Sequence, residues 1–143
     1  MLPAVSLGTL KSMRGNRAKD TLPEVRLRSA LWKAGLRGYR KNLPSLPGRP
    51  DIVFPQFRLA IFVHGCFWHR CPTCKRNLAP KRNAEFWAAK FAGNIRRDLQ
   101  KICDLDGLGF RSMVVWECEV RDTLADVVDR VRSEIQRQRD GEG

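Results

Sequence analysis

The stretch Asp51-Ile-Val-Phe-Pro-Gln-Phe-Arg-Leu-Ala-Ile-Phe-Val-His64 decides the fold. Its two short apolar runs, residues 51–54 and 58–63, are separated by Pro55-Gln-Phe57 and read as a hairpin of buried strands. Asp51 opens the first strand, and the antiparallel second strand delivers Val63 and His64 to the same end of the sheet. Just upstream, Leu43-Pro-Ser-Leu-Pro-Gly-Arg-Pro50 carries three prolines and a glycine, which no regular element tolerates, so this is a shaped loop.

Working outward, Thr21-Leu-Pro-Glu24 matches a capping box with proline in the first turn. Leu22, Val25, Ser29 and Trp32 follow at helical spacing and predict a helix over about 22–34, ending at Gly35. Residues 64–82 mix His, Cys, Pro and basic side chains without periodicity, so they are expected to form an irregular loop that needs a clamp. A long helix is predicted from Asn83 to about Leu105, with Gly107 beyond its end. Phe86, Trp87, Phe91, Ile95, Leu99 and Ile102 mark one side of it, with Arg96, Arg97 and Lys101 facing elsewhere. Residues 110–118 read as a strand whose buried part is Met113-Val-Val-Trp116. Asp122 or Thr123 then caps an amphipathic helix through Leu124, Val127, Val131 and Ile135. The order α-β-β-α-β-α predicts an α/β fold, a mixed sheet flanked by helices, and no internal repeat is present.

The chain has 143 residues, 43% of them hydrophobic, which suits one core and one site. We expect a single domain over 21–138, preceded by a flexible basic arm over 1–20 and followed by a tail over 139–143. The arm ends in Lys11, Arg14, Arg17 and Lys19, and such arms often lie along phosphates. The formal charge is +12, from 27 Lys and Arg against 15 Asp and Glu, and it favours a polyanionic partner over mere solubility. No run of 18 apolar residues is present, so a spanning helix is excluded. The first ten residues have no basic start and no clear cleavage signal, so export is not expected and a cytoplasmic protein is.

Five cysteines in a reducing compartment, three of them within nine residues, read as metal ligands plus one spare thiol. Cys66, Cys71 and Cys74 are spaced C-x4-C-x2-C, and Cys118 closes a distant strand. Four such thiolates suit tetrahedral zinc, whose closed shell is structural and would pin the 64–82 loop to that strand. A redox Cys-x-x-Cys would not explain Cys66. His69 in place of Cys118 is the alternative ligand, leaving Cys103 and Cys118 as buried thiols.

The two histidines, His64 and His69, lie within six residues after a buried strand, and an imidazole near neutral pKa suits proton transfer. Phosphodiester hydrolysis also needs a divalent metal held by a carboxylate. Asp51 is placed for this, and Glu24 is the second candidate, its other reading being the capping partner of Thr21.

Together, Ser45-Leu-Pro-Gly-Arg-Pro-Asp51, Ile61-Phe-Val-His-Gly-Cys-Phe-Trp-His69, Glu85-Phe-Trp87 and Val114-Val-Trp-Glu-Cys118 resemble the very-short-patch repair (Vsr) DNA mismatch endonucleases over about residues 11–136. The resemblance implies a restriction-endonuclease-like fold lacking the usual lysine of its signature. It also implies nicking of one strand 5′ of the thymine in a T:G mismatch left by deamination of 5-methylcytosine. By position, Asp51 and the main-chain carbonyl of Val63 would bind Mg2+, and His69 would be the general base. His64 and Glu24 would support the metal waters and the phosphate, while Phe67, Trp68 and Trp87 would wedge into the duplex. For Trp87 the competing reading is core packing. The sequence departs from the familiar pattern at Val63, where a threonine is usual, and at Cys71-Pro-Thr-Cys74, which makes the zinc set all cysteine. A monomer linked to a cytosine-5 methyltransferase and to mismatch-repair proteins is implied. The alternatives are a restriction-type nuclease without mismatch specificity and a non-catalytic zinc-stabilised DNA-binding module.

Overall fold

The computed structural model describes residues 21–72 and 81–142. Helix α1 (Leu22–Lys33) takes Pro23 in its first turn, where a missing N–H costs nothing, and the chain turns at Gly35 with φ +84°. Thr21 makes no side-chain capping bond, so the expected capping box is absent, and the Glu24 carboxylate turns to Arg28 and Asp51 instead. The buried stripe is Glu24, Leu27 and Leu31, whereas Leu22, Val25 and Trp32 are exposed. Both stripes satisfy helical spacing, so periodicity alone cannot choose between them. Packing chooses, and Trp32 instead stays at the surface under the Arg37 guanidinium, 4.2 Å from its ring.

Strands β1 (Arg40–Lys41), β2 (Ile52–Phe54), β3 (Leu59–His64) and β4 (Arg111–Trp116) form one sheet in that order. The first two pairings are antiparallel and β3–β4 is parallel. The β2–β3 hairpin predicted from sequence is present, turning through a single 3-10 turn at Pro55–Phe57 that Arg58 closes in the left-handed region. Strand β1, only two residues long, leaves no periodic signal. A parallel neighbour needs a crossover, here containing the short helix α2 (Cys66–His69) and the long helix α3 (Ala84–Gly107). Helix α2 thus lies inside the stretch expected to be irregular. Gly107 is the last residue of α3 rather than beyond it, and Gly109, at φ +82°, turns the chain into β4. The strand expected to reach Cys118 ends at Trp116, and Cys118 lies in α4 (Glu117–Asp122). Helix α5 (Leu124–Glu142) runs through residues read as a tail.

Strand alternation sorts the core into two faces. Ile52, Phe54, Leu59, Ile61, Met113 and Val115 pack with Leu27 and Leu31 of α1 and with Val127, Val131 and Ile135 of α5. On the other face Ala60 and Phe62 meet Leu105 of α3. The result is the expected mixed sheet between helical layers. Among the described residues no helix is long and apolar enough to cross a membrane.

Candidate active site

The site begins where the hairpin ladder breaks. Ile52 faces Ile61, and one more hydrogen-bonded pair would set Pro50 against Val63. Proline has no N–H to give the Val63 carbonyl. The Val63 N–H turns instead to the Asp51 carboxylate, 2.6 Å from Oδ2. N–H and C=O of one strand residue point the same way, so the Val63 carbonyl also faces the Asp51 side.

Helix α1 brings Glu24, 3% exposed, against Asp51, with Arg28 3.5 Å behind it. Burial is the main force raising the Asp51 carboxyl from 3.8 to about 7; Glu24 adds to it through charge and a hydrogen bond, while the Val63 N–H and Lys101 oppose it. Two carboxylates and a peptide carbonyl form an all-oxygen donor set. A divalent cation fits it, because the cation would replace the proton that the crowded carboxylates otherwise retain.

His64 falls on the Ala60 and Phe62 side of the sheet, facing α3. Helix α2 folds back so that His69 stacks on His64, with ring centroids 3.9 Å apart and planes 9° apart. Helix α3 supplies the third member, which the sequence reading missed. Asp98 Oδ2 lies 2.5 Å from His69 Nδ1, and its Oδ1 lies 4.0 Å from His64 Nε2. Burial works to raise the Asp98 carboxyl, but the His69 hydrogen bond and the neighbouring His69, His64 and Lys101 outweigh it and hold it below its usual range. With Nδ1–H given to a carboxylate, His69 keeps its lone pair on Nε2, where a general base needs it. Burial, then His69, push His64 down to about 3 despite Asp98, so His64 is neutral at ordinary pH. A signal for Asp98 did exist. Trp87, Phe91, Asn94, Asp98, Lys101 and Leu105 recur at alternating spacings of four and three, one continuous helical face.

A second cluster braces this arrangement. Cys66 and Cys71 are buried, and their sulfurs lie with that of Cys118 within 4.8 Å of one another. The Cys71 and Cys118 sulfurs are 3.7 Å apart. Tetrahedral ligands at about 2.3 Å from a metal stand about 3.8 Å from each other, so this spacing fits a metal shell. Glu117 Oε1 accepts the Cys66 N–H at 3.0 Å, tying α2 to α4 beside the thiols. His69 stands with Asp98 rather than with the thiols, Cys103 is exposed, and Cys74 lies outside the described residues.

Of the aromatic residues read as duplex contacts, Phe67 packs edge-on against Trp87 and Phe91, with centroids 5.5 and 5.3 Å away. Trp87 is only 2% exposed and backs Phe67 rather than facing solvent. The Trp68 side chain, Lys11 and Arg14 lie outside the described residues.

A family model described as DNA mismatch endonuclease Vsr matches residues 9–76. The chain is 44% identical over 111 residues to the DNA mismatch endonuclease Vsr of Escherichia coli, covering 78% of this chain and 70% of that one. It is 44% identical over 110 residues to the type II nicking enzyme V.XorIIP of Xanthomonas oryzae, covering 77% and 79%. It is 41% identical over 105 residues to the type II nicking enzyme V.NmeAIP of Neisseria meningitidis, covering 73% and 74%.

Proposed function

Because the chain belongs to the family of the DNA mismatch endonuclease Vsr, we propose that it nicks one DNA strand 5′ of the thymine in a T:G mismatch left by 5-methylcytosine deamination. The observation that carries this reading is the meeting of two constellations at one end of the sheet. One is the Asp51–Glu24 carboxylate pair beside the Val63 carbonyl, and the other is the His69–Asp98 pair stacked on His64.

Asp51 and the Val63 carbonyl would hold Mg2+, with Glu24 supporting its waters, and the ion when bound supplies charge to polarise the phosphate and acidify water. His69 Nε2 takes the proton of the attacking water as the new P–O bond forms. The P–O bond to the departing strand breaks in the same displacement, and its oxygen takes a proton from solvent. Asp98 holds the imidazole in the required tautomer and stabilises the imidazolium. Neutral His64 offers a hydrogen bond without adding a charge.

The same reading assigns zinc to Cys66, Cys71, Cys74 and Cys118, and a restriction-endonuclease-like identity to the sheet. Phe67 and Trp68 enter the duplex, with Trp87 buttressing Phe67, while Lys11 and Arg14 lie along phosphates. A cytoplasmic monomer acting beside a cytosine-5 methyltransferase and mismatch-repair proteins completes it.

The test is nicking of a short duplex with one T:G mismatch in varied flanks, against its T:A control, with Mg2+ or EDTA. Cleavage 5′ of the mismatched thymine alone is expected, abolished by EDTA or Asp51→Ala. Asp98→Asn is expected to slow it roughly 10²–10⁴-fold with binding retained. Equal cutting of both duplexes would remove mismatch specificity, and binding without cleavage would remove the nuclease.

A further inference from the structure

Helix α3 turns one more charged residue toward the site. On its inner face, between Asp98 and the fully buried Leu105, stands Lys101. The lysine stem lies across the loop that leads into Asp51. A Cβ on Gly48 would sit 2.6, 2.7 and 3.0 Å from the Lys101 Cδ, Cγ and Cβ, so the stem occupies the space only a glycine leaves. Gly48 also holds φ +75°, which suits no other residue well. The stem is therefore fixed between helix and loop, and the ammonium is delivered to one place. That place is 4.0 Å from Asp98 Oδ1, and its charge lowers the carboxyls of Asp51 and Asp98 and the imidazole of His64 alike.

A surface ion pair with Asp98 explains this poorly. At 4.0 Å the contact is at the outer limit of such pairs, and the other Asp98 oxygen is already committed to His69. The Lys101 side chain keeps 39% of its surface open to an incoming group. A cation loaded at Asp51 and the ammonium of Lys101 would repel each other unless an anion lay between them. The substrate brings one.

We propose that Lys101 is a further catalytic residue, its ammonium contacting a non-bridging oxygen of the scissile phosphate and stabilising the charge that grows there during attack. This rests on the nuclease reading above. Lys101 makes and breaks no bond and gives up no proton. It supplies a fixed charge where the transition state is more anionic than the ground state, a kind of interaction whose removal costs roughly 10²-fold in rate.

Lys101→Met keeps the stem over Gly48 and removes only the charge, while Lys101→Arg restores a charge. Two quantities separate the outcomes, namely the single-turnover nicking rate at saturating enzyme and Mn2+ affinity without DNA, titrated by the paramagnetic resonance of free Mn2+. For Lys101→Met the rate should fall roughly 10²-fold while Mn2+ binding tightens about threefold or more, because a nearby positive charge is gone. Lys101→Arg should recover most of both. A structural role would weaken both quantities together, and that result overturns the proposal, as does a Lys101→Met rate within threefold of wild type. If the wild-type protein nicks no duplex, the nuclease reading fails and the catalytic role of Lys101 falls with it. Tighter Mn2+ binding by Lys101→Met would even then locate its charge beside Asp51.

Discussion

At Asp51 two effects oppose each other, and burial wins. The Val63 N–H at 2.6 Å favours the ionised carboxylate, yet exclusion of water and the adjacent Glu24 raise its pKa from 3.8 to about 7. An acid with a raised native pKa binds its proton longer when folded than when unfolded. Its contribution to stability is therefore full below pH 3.8 and is lost as pH climbs through about 7, provided no cation is present. Asparagine keeps an oxygen for the Val63 N–H and gains an N–H for Glu24, while shedding the buried charge. Metal-free Asp51→Asn should accordingly melt several degrees above wild type near pH 8, and the two should converge near pH 4. Mg2+ should raise the melting temperature of wild type near pH 8 and leave Asp51→Asn unmoved. A variant less stable than wild type near pH 8 would mean that Asp51 is not crowded in the way described. The placement of Asp51 at the mouth of the hairpin was legible in sequence because proline, aspartate and an apolar run occur together. Glu24 was only half legible, since its spacing from Thr21 fits a capping box that the fold does not make.

Among the elements, the hairpin, the long helix and the last helix were legible because each has an unbroken apolar period. Their orientations were not. Helix α1 buries Leu27 and Leu31 instead of Val25 and Trp32, and α3 leaves Phe86, Ile95 and Leu99 exposed while turning Asn94, Asp98 and Lys101 inward. A face that lines a polar cluster is itself polar there, so an apolar count selects the wrong stripe on the helices that line the candidate site. The cysteine cluster had the opposite fate, since its spacing was plain while the element holding Cys118 was misread. Helix α2 is four residues long, too short to hold itself, and it carries His69. The thiol cluster and the Glu117 bond to Cys66 hold its first turn, so metal loss should be felt at His69 one turn on. Purified protein should contain about one zinc per chain. Cys118→Ser should lose most of it, melt about 10 °C lower and nick more slowly, as elemental analysis, calorimetry and the duplex assay would reveal. Wild-type stability in a strong chelator would show that the thiols are only buried.

For the whole molecule the governing quantity is charge. An excess of 12 cations over 143 residues is carried mostly by surface side chains, because the core is apolar and the carboxylates that matter, Asp51, Glu24 and Asp98, are gathered at the site. Such a field binds duplex DNA of any sequence and releases counterions as it does so, giving a logarithmic salt dependence of about 0.9 per phosphate contacted. In the proposed reading, discrimination of a mismatch falls to the aromatic residues of α2 and to what they would unstack, not to the basic residues. These two contributions separate experimentally. Lys11→Ala with Arg14→Ala, a pair far in sequence from the catalytic groups, should make the salt slope shallower by about 2 and weaken T:G and T:A duplexes by the same factor. Phe67→Ala should leave the slope alone and reduce the preference for T:G. Binding isotherms at several salt concentrations on both duplexes measure all four quantities. An unchanged slope would remove the basic arm from the phosphate contacts, whereas a lost T:G preference in the arm variant would mean that the arm reads the mismatch itself.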